Sequence, residues 1–429
     1  MRELFTEKTC RWFEENLGAP TEVQRQGWRA IASGENVLIS APTGTGKTLT
    51  AFLMAIDRLN GLAQRQMLQE QVYVLYITPL KALGNDIREN LQRPIEGLEA
   101  PLRIAVRNGD TPPSERQRMC RKPPHILITT PESLYLMLTS RSGRQLLSTV
   151  KTVIVDELHA MISSRRGTHL MLSLARLDAL CACPPQRIGL SATIRPLDLA
   201  AHCLAGERTR IVAPAMEKAS SVRVLAAARD LTRLRESSIW PEIFREVYET
   251  AQRCRTVLVF CEGRATAEKV AHGVNELGGE GYARTHHGSV SKEQRLEAER
   301  ALKSGQLKVL CATSSMELGI DVGEVERVIQ IGCPQRISSA VQRLGRVGHR
   351  PGEVSRMDFY PRHRSETLLS AMTACGMRMG EIEAVEPEEM CVDILAQHLV
   401  SMAAAETYTV DEALQICRSC WCYRDLTRT

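Results

Sequence analysis

The sequence predicts an α/β protein: two tandem domains, each a mostly parallel sheet flanked by helices, followed by a partial helical module. Three observations predict this. In the first half, short β-rich apolar runs each end in a turn of Gly, Pro, Ser, Thr or Asp and give way to a helical stretch. After a polar, Arg-rich interval near 212–238 a second series of the same kind begins. Beyond about residue 364 the strands stop.

The first series runs Val37–Ser40, Val72–Thr78, Arg103–Val106, His125–Thr129, Thr152–Val155 and Arg187–Leu190. The second runs Thr256–Phe260, Tyr282–Thr285, Lys308–Cys311, Arg327–Ile331 and Met357–Tyr360. The expected domains are 1–215, 216–365 and 366–429. In the third, Val392–Ala404 and Asp411–Cys422 read as helices around Tyr408-Thr409-Val410. They resemble the start of a winged helix that needs further chain, so an N-terminal portion of something longer is expected.

The 429 residues are 43 % hydrophobic, enough for real cores, but only 4 % aromatic, so the cores must rest on aliphatic side chains. The net charge of +5 permits a polyanion partner without demanding one. The 14 cysteines are scattered, several in apolar runs such as Cys261, Cys311 and Cys333, which favours reduced core thiols over a disulfide framework. Cys417 and Cys420, with Cys422 beside them, have a metal-like spacing but no second pair, and they sit in a helical pattern, so they read as core residues. No apolar run approaches a membrane span. The amphipathic N-terminus has no signal-peptide core, and a cytoplasmic protein without membrane association is expected.

The sharpest chemical signal is Ala41-Pro42-Thr43-Gly44-Thr45-Gly46-Lys47-Thr48, between a strand and the helical Leu49–Leu59. Glycines there let backbone N–H groups wrap a phosphate, and the following helix offers its positive end. Thr43, Gly44, Thr45 and Gly46 would form the cradle, Lys47 would reach the β- and γ-phosphates, and Thr48 would face Mg²⁺. Asp156-Glu157-Leu158-His159 ends another strand. Such a pair also suits a helix N-terminus, but beside a phosphate loop Asp156 is placed to hold Mg²⁺ through water, and Glu157 to deprotonate the attacking water. Gln342-Arg343-Leu344-Gly345-Arg346-Val347-Gly348-His349 carries arginines at helical spacing. It is either a basic surface helix or the source of an arginine acting across a domain interface on the γ-phosphoryl group. No Asn-Lys-x-Asp occurs, which argues against a guanine-specific enzyme.

In this order the segments resemble superfamily 2 helicases of the DExH type, over about residues 18–352. The phosphate loop matches motif I and Asp156–His159 motif II. Thr78–Leu83 is similar to motif Ia, Thr129–Leu134 to motif Ib, and Ser191-Ala192-Thr193 to motif III. In the second half Val259–Arg264, Ala312–Asp321 and Gln342–His349 are similar to motifs IV, V and VI, with His287-Gly288-Ser289 a further turn. More narrowly, Pro20–Gln24, Leu80–Leu83, Asp156–His159, Ser315–Asp321, Gly348–Arg350, Asp393–His398 and Tyr423–Leu426 resemble the large-helicase-related (Lhr) family.

The resemblance implies two tandem RecA-like domains, ATP and Mg²⁺ as cofactors, and catalysis by Lys47, Asp156, Glu157 and Arg346. It adds Gln24, Gly319, Asp321, His349 and Arg350 as nucleotide contacts. His349 stands where many members have the second motif VI arginine, so Arg346 is the expected finger, while Arg343 points from a different helix face as a structural residue. Pro79, Lys81, Thr130, Pro131, Arg264, His287, Ser289 and Thr313 would meet nucleic acid, although a hydroxyl at such a turn is as often a helix cap. His159, Ser191, Thr193 and Gln342 would couple the two sites. The implied activity is 3′–5′ translocation on single-stranded DNA and unwinding of DNA or DNA–RNA duplexes, in DNA repair. Single-stranded RNA is a further expected partner. The alternatives are an ATPase that remodels RNA or protein–nucleic-acid complexes without processive unwinding, and a nucleotide-gated scaffold. Backbone-directed contacts predict low sequence specificity and marked salt dependence.

Overall fold

The computed structural model describes residues 1–215, 219–227, 239–317, 323–347 and 353–428. They form two units, Met1–Ala215 with Ala384–Thr429, and Met216–Glu383.

The first unit holds strands β1 (Val37–Ser40), β2 (Val74–Ile77), β3 (Ile104–Arg107), β4 (Ile126–Thr129), β5 (Thr152–Val155), β6 (Gln186–Ser191) and β7 (Arg210–Val212). Their order is β3-β4-β2-β5-β6-β1-β7, and every pairing is parallel. Side chains alternate across a strand, and the sequence fills both faces with aliphatics. Leu38, Leu75, Leu127 and Val155 enter one core, while Ile39, Tyr76, Ile128 and Ile154 enter the other.

The second unit holds β8 (Ser220–Val224), β9 (Val257–Cys261), β10 (Ala283–His286), β11 (Val309–Ala312), β12 (Arg327–Ile331) and β13 (Ser355–Tyr360), ordered β10-β11-β9-β12-β13-β8 and again parallel. Val259 and Cys311 face one core; Leu258, Phe260 and Leu310 face the other. Two tandem RecA-like domains are thus present, each with its strands' carboxyl ends at one edge.

The C-terminal helices Val392–Ala405 and Val410–Arg418 pack on the first unit, where Ile394, Cys417, Cys420, Cys422 and Tyr423 join a core with Leu170, Leu174 and Leu204. The helix Arg364–Met379, most of which falls within the expected third region 366–429, groups with the second unit.

Three local expectations change. The interval 212–238 was expected to be a polar joint, yet β7 ends and β8 lies within it. Each is an edge strand with one neighbour and partly exposed side chains, so neither needs an apolar run. The helix expected to reach Cys422 ends at Arg418. Cys420 is extended, and a short 3₁₀ turn, Trp421–Tyr423, swings Cys422 and Tyr423 inward. Arg346 lies beyond the end of its helix, Ile337–Leu344, in a turn where its N–H donates to the Arg343 carbonyl at 3.1 Å.

Candidate functional site

The phosphate loop joins β1 to the helix Lys47–Gln64. Gly44 and Gly46 have φ of 81° and 84°, the left-handed region that glycine enters without a Cβ clash. Gly46 is needed for space as well: a Cβ there would lie 2.5 Å from Gln24 Nε2. Thr21 and Gln24 form a capping box at the start of the helix Glu22–Ala32, with Thr21 N–H donating to Gln24 Oε1 at 2.9 Å. The Thr21 hydroxyl also donates to the Thr45 carbonyl at 3.1 Å, so this helix end is fastened to the loop. The Thr45 hydroxyl donates to the Pro42 carbonyl at 2.8 Å, and Lys47 Nζ donates to the carbonyls of Ala41 and Pro42 at 2.5 and 2.8 Å. The lysine thus folds back over the concave side of the loop.

Asp156 and Glu157 follow β5, two strands from β1. Glu157 has φ 49°, costing about 1–3 kcal/mol for a residue with a side chain. Its N–H donates to Asp156 Oδ1 at 2.8 Å, and the buried Tyr76 hydroxyl donates to Asp156 Oδ2. Burial, and then the charge of Glu157, push the Asp156 carboxyl above the usual carboxylate range, with Lys47 opposing. Two buried acids beside a lysine are a donor set that fits a hard dication. Thr48 and, through water, Asp156 would hold Mg²⁺ there.

Ser40 and Ser191 are register partners on β1 and β6. The Ser40 hydroxyl donates to the Ala192 carbonyl at 2.9 Å, and Ala41 N–H donates to the Ser191 carbonyl at 3.2 Å. Ala192 N–H donates to His159 Nδ1 at 3.2 Å, so that nitrogen accepts and Nε2 carries the proton, 3.6 Å from Glu157 Oε2. The Ser191 hydroxyl lies 3.2 Å from the same Nδ1. A series of polar contacts therefore runs from the foot of the phosphate loop through Ser191 and Ala192 to His159, with Glu157 next to it. Thr193 sits half-buried at the end of this turn.

The expected nucleic-acid residues of this unit lie at the same edge, since Ile77, Thr129 and Arg107 are register partners ending β2, β4 and β3. Lys81 begins the helix after β2 and pairs with Asp110 at 2.6 Å, both half-exposed. Pro79 is buried. Thr130 caps the helix Pro131–Thr139, its Oγ1 accepting from Ser133 N–H at 3.4 Å, so its hydroxyl has the helix-cap role.

In the second unit Arg264, His287, Ser289 and Thr313 follow β9, β10 and β11 at one edge. Arg264 Nη1 donates to Ser289 Oγ at 2.5 Å. His287 Nδ1 accepts from Ser289 N–H at 3.3 Å, which leaves Nε2–H to donate to Glu268 at 2.7 Å. Arg346 is buried and donates from Nη2 to the Glu317 carbonyl at 2.6 Å. Arg343 is also buried. Its Nε donates to Glu317 Oε1 at 2.7 Å, Nη1 donates to Gln330, and its guanidinium lies 5.0 Å from the Phe260 ring centroid. Gln342 is half-buried on the same helix. Gly319, Asp321, His349 and Arg350 lie outside the described residues. Sequence reasoning missed Tyr76 and Asp110; a tyrosine inside an apolar strand gives no local sign of a distant polar partner.

A phosphate loop and acid pair at the carboxyl edge of one parallel sheet, and two buried arginines, one within and one just after the helix Ile337–Leu344 of the other unit, define a tandem RecA-like helicase core. Family models agree: a DEAD/DEAH box helicase domain matches residues 21–200, a helicase conserved C-terminal domain 240–351, and the winged helix domain of large helicase-related protein 375–429. The chain belongs to the large-helicase-related family of superfamily 2 helicases. It is 42 % identical to the "Lhr helicase/ probable uracil glycosylase" of Mycolicibacterium smegmatis, over 95 % of this chain and 30 % of that protein. It is 40 % identical to the "ATP-dependent helicase Lhr-Core" of Methanocaldococcus jannaschii, over 99 % of this chain and 52 % of that protein. The solved structure of the Mycobacterium smegmatis helicase Lhr bound to ssDNA and AMP-PNP matches with a TM-score of 0.92 and 43 % identity, covering 99 % of this chain and 56 % of that one. The chain thus spans about a third to a half of the length of these curated relatives.

Proposed function

We propose that the chain is an ATP-dependent helicase motor that moves 3′ to 5′ on single-stranded DNA and unwinds DNA or DNA–RNA duplexes, with a role in DNA repair. The observation that carries the reading is the series of polar contacts from Ser40, at the foot of the phosphate loop, through Ala192 and His159 to Glu157, the last of them at 3.6 Å. Helicase relatives similar over nearly the whole chain support it, one of them solved with ssDNA and an ATP analogue.

On this reading the N–H groups of 43–46 and Lys47 bind the phosphates of ATP, and Gln24 reads the base. Glu157 takes a proton from the attacking water as its oxygen bonds to the γ-phosphorus and the β–γ bridge breaks, giving ADP and phosphate. Bound Mg²⁺ supplies charge neutralisation. Arg346, and beyond the described residues Gly319, Asp321, His349 and Arg350, act on the nucleotide. Pro79, Lys81, Thr130, Pro131, Arg264, His287, Ser289 and Thr313 grip the backbone of the strand, and His159, Ser191, Thr193 and Gln342 couple grip to hydrolysis. No helix among the described residues is long and apolar enough to cross a membrane, and a cytoplasmic site of action is part of the proposal.

The test is ATP turnover with and without matched DNA and RNA oligomers, followed by strand displacement on duplexes with 3′ or 5′ overhangs. Turnover should rise with single strands and fall on the order of 10²-fold or more in Glu157→Gln. Full nucleic-acid-stimulated turnover in Glu157→Gln or Lys47→Ala overturns the site. Stimulation without displacement of any duplex replaces the helicase by a remodelling ATPase.

A further inference from the structure

Tyr76 is wholly buried in the middle of the first sheet, two residues before the turn that carries Pro79 and Lys81. A tyrosine there needs a partner for its hydroxyl, because an unpaired buried hydroxyl is costly. The partner is Asp156 Oδ2, from a position 80 residues away in sequence. The other carboxylate oxygen already accepts from Glu157 N–H at 2.8 Å, and Asp156 N–H donates to the Ile77 carbonyl at 2.9 Å. The two strands run side by side in register, Tyr76 opposite Ile154 and Ile77 opposite Val155. The ring of Tyr76 packs on Phe52, with centroids 4.9 Å apart and planes 32° from parallel. Phe52 lies in the helix Lys47–Gln64, one turn after Thr48, and residues four apart share a helix face.

We infer that Tyr76 is a positioning residue for the Mg²⁺ site: its ring braces the turn of helix beyond Thr48 while its hydroxyl fixes the rotation of the Asp156 carboxylate. The inference rests on the proposed role of Asp156. The torsion of an aspartate carboxylate about its last bond is soft, and one backbone donor leaves it free to rock. A second donor on the other oxygen sets the plane in which the remaining lone pairs meet an ion's water shell. Outer partners of this kind change metal affinity by about 10- to 100-fold when removed, and contact through water puts Tyr76 at the low end. The same side chain also places the Mg²⁺ site on the strand that feeds a nucleic-acid turn, so strand binding has a direct mechanical route to Asp156.

The experiment titrates Mg²⁺ against binding of a fluorescent non-hydrolysable ATP analogue to the full chain. Tyr76→Phe, which keeps the ring and removes only the hydroxyl, should raise the Mg²⁺ concentration at half-effect by about 10-fold, with Mg²⁺-free nucleotide binding unchanged. Asp156→Asn is the reference. If Asp156→Asn shifts the midpoint and folded Tyr76→Phe does not, or shifts only the melting temperature, Tyr76 is merely a core residue and the inference fails alone. If Asp156→Asn also leaves the midpoint in place, the metal assignment itself falls. Should Tyr76→Phe not fold, a ring-fluorinated tyrosine at 76 keeps packing and hydroxyl while changing donor strength, and an unmoved midpoint there overturns the inference equally.

Discussion

The carboxyl edges of the two sheets are built by different means. In the first unit the site is set by backbone: glycines at positive φ, a capping box fastened to the loop, and Ala192 N–H fixing the His159 tautomer. In the second, side chains hold one another: His286 with Glu299 at 2.8 Å, His287 with Glu268, and Arg343 with Glu317. Backbone donors cannot rotate away, so the first edge is preorganised for an anion before one arrives. Side-chain pairs, by contrast, can exchange partners. The contrast sharpens at two arginines three positions apart. Arg343 is enclosed by Glu317, Gln330 and Phe260, whereas Arg346 reaches the Glu317 carbonyl from a turn.

The largest effect expected from this difference is on turnover. Arg346→Ala should lower kcat by about 10³-fold, the scale of a lost arginine finger, with affinity for the ATP analogue changed only a few-fold. Turnover within a few-fold of the unsubstituted chain would remove Arg346 from catalysis and leave the first edge acting alone. Arg343→Ala should instead cost stability, about 3 kcal/mol, because the largely buried Glu317 carboxyl loses its ion-pair partner. Urea unfolding followed by a probe in each unit checks this, since the loss should appear in the second unit alone. An equal shift of both transitions would mean the units do not unfold independently.

Legibility in the sequence followed the same division. The phosphate loop, Asp156–His159 and Ser191–Thr193 were readable because each is a pattern of a few consecutive residues, and all eleven expected strands fell within a residue or two of their expected limits for a similar reason: buried parallel strands need unbroken apolar runs. What was lost depended on distance or on a sheet edge. Tyr76 looks like one more core residue until the fold sets it beside Asp156. β7 and β8 carry polar residues because edge strands tolerate them. Thr130 had two readings at sequence level, and only its bond from Ser133 N–H shows the hydroxyl as a cap. Cys417, Cys420 and Cys422 had metal-like spacing, and the structure buries all three among leucines.

The smallest expected effect concerns acid, and it too separates the units. His398, on the helix Val392–Ala405, is fully buried against the first unit's own helices. Its Nδ1 lies 3.3 Å from Arg176 Nη1, and the rings of His169 and Tyr135 lie 4.7 and 5.0 Å from its own. A protonated imidazole there would lose its hydration and sit beside a guanidinium. Burial first, then His169 and Arg176, pull its pKa down to about 2. An exposed histidine in the unfolded chain titrates near 6.5, so below that pH the unfolded state binds a proton that the folded state refuses. Stability is therefore complete above about pH 7 and declines as pH falls from 6.5 toward the folded value. The loss amounts to about 2 kcal/mol at pH 5 for a fully refused proton. His125, drawn down to about 4 mainly by burial, adds to the loss in the same unit. Urea unfolding at pH 7 and pH 5 should show the first unit weakening, and His398→Gln, which cannot take up a proton, should make that difference smaller, with His125 and the half-buried His169 carrying the rest. If His398→Gln leaves the pH dependence unchanged, the acid sensitivity lies elsewhere and the seam between the C-terminal helices and the first sheet is not where the unit yields.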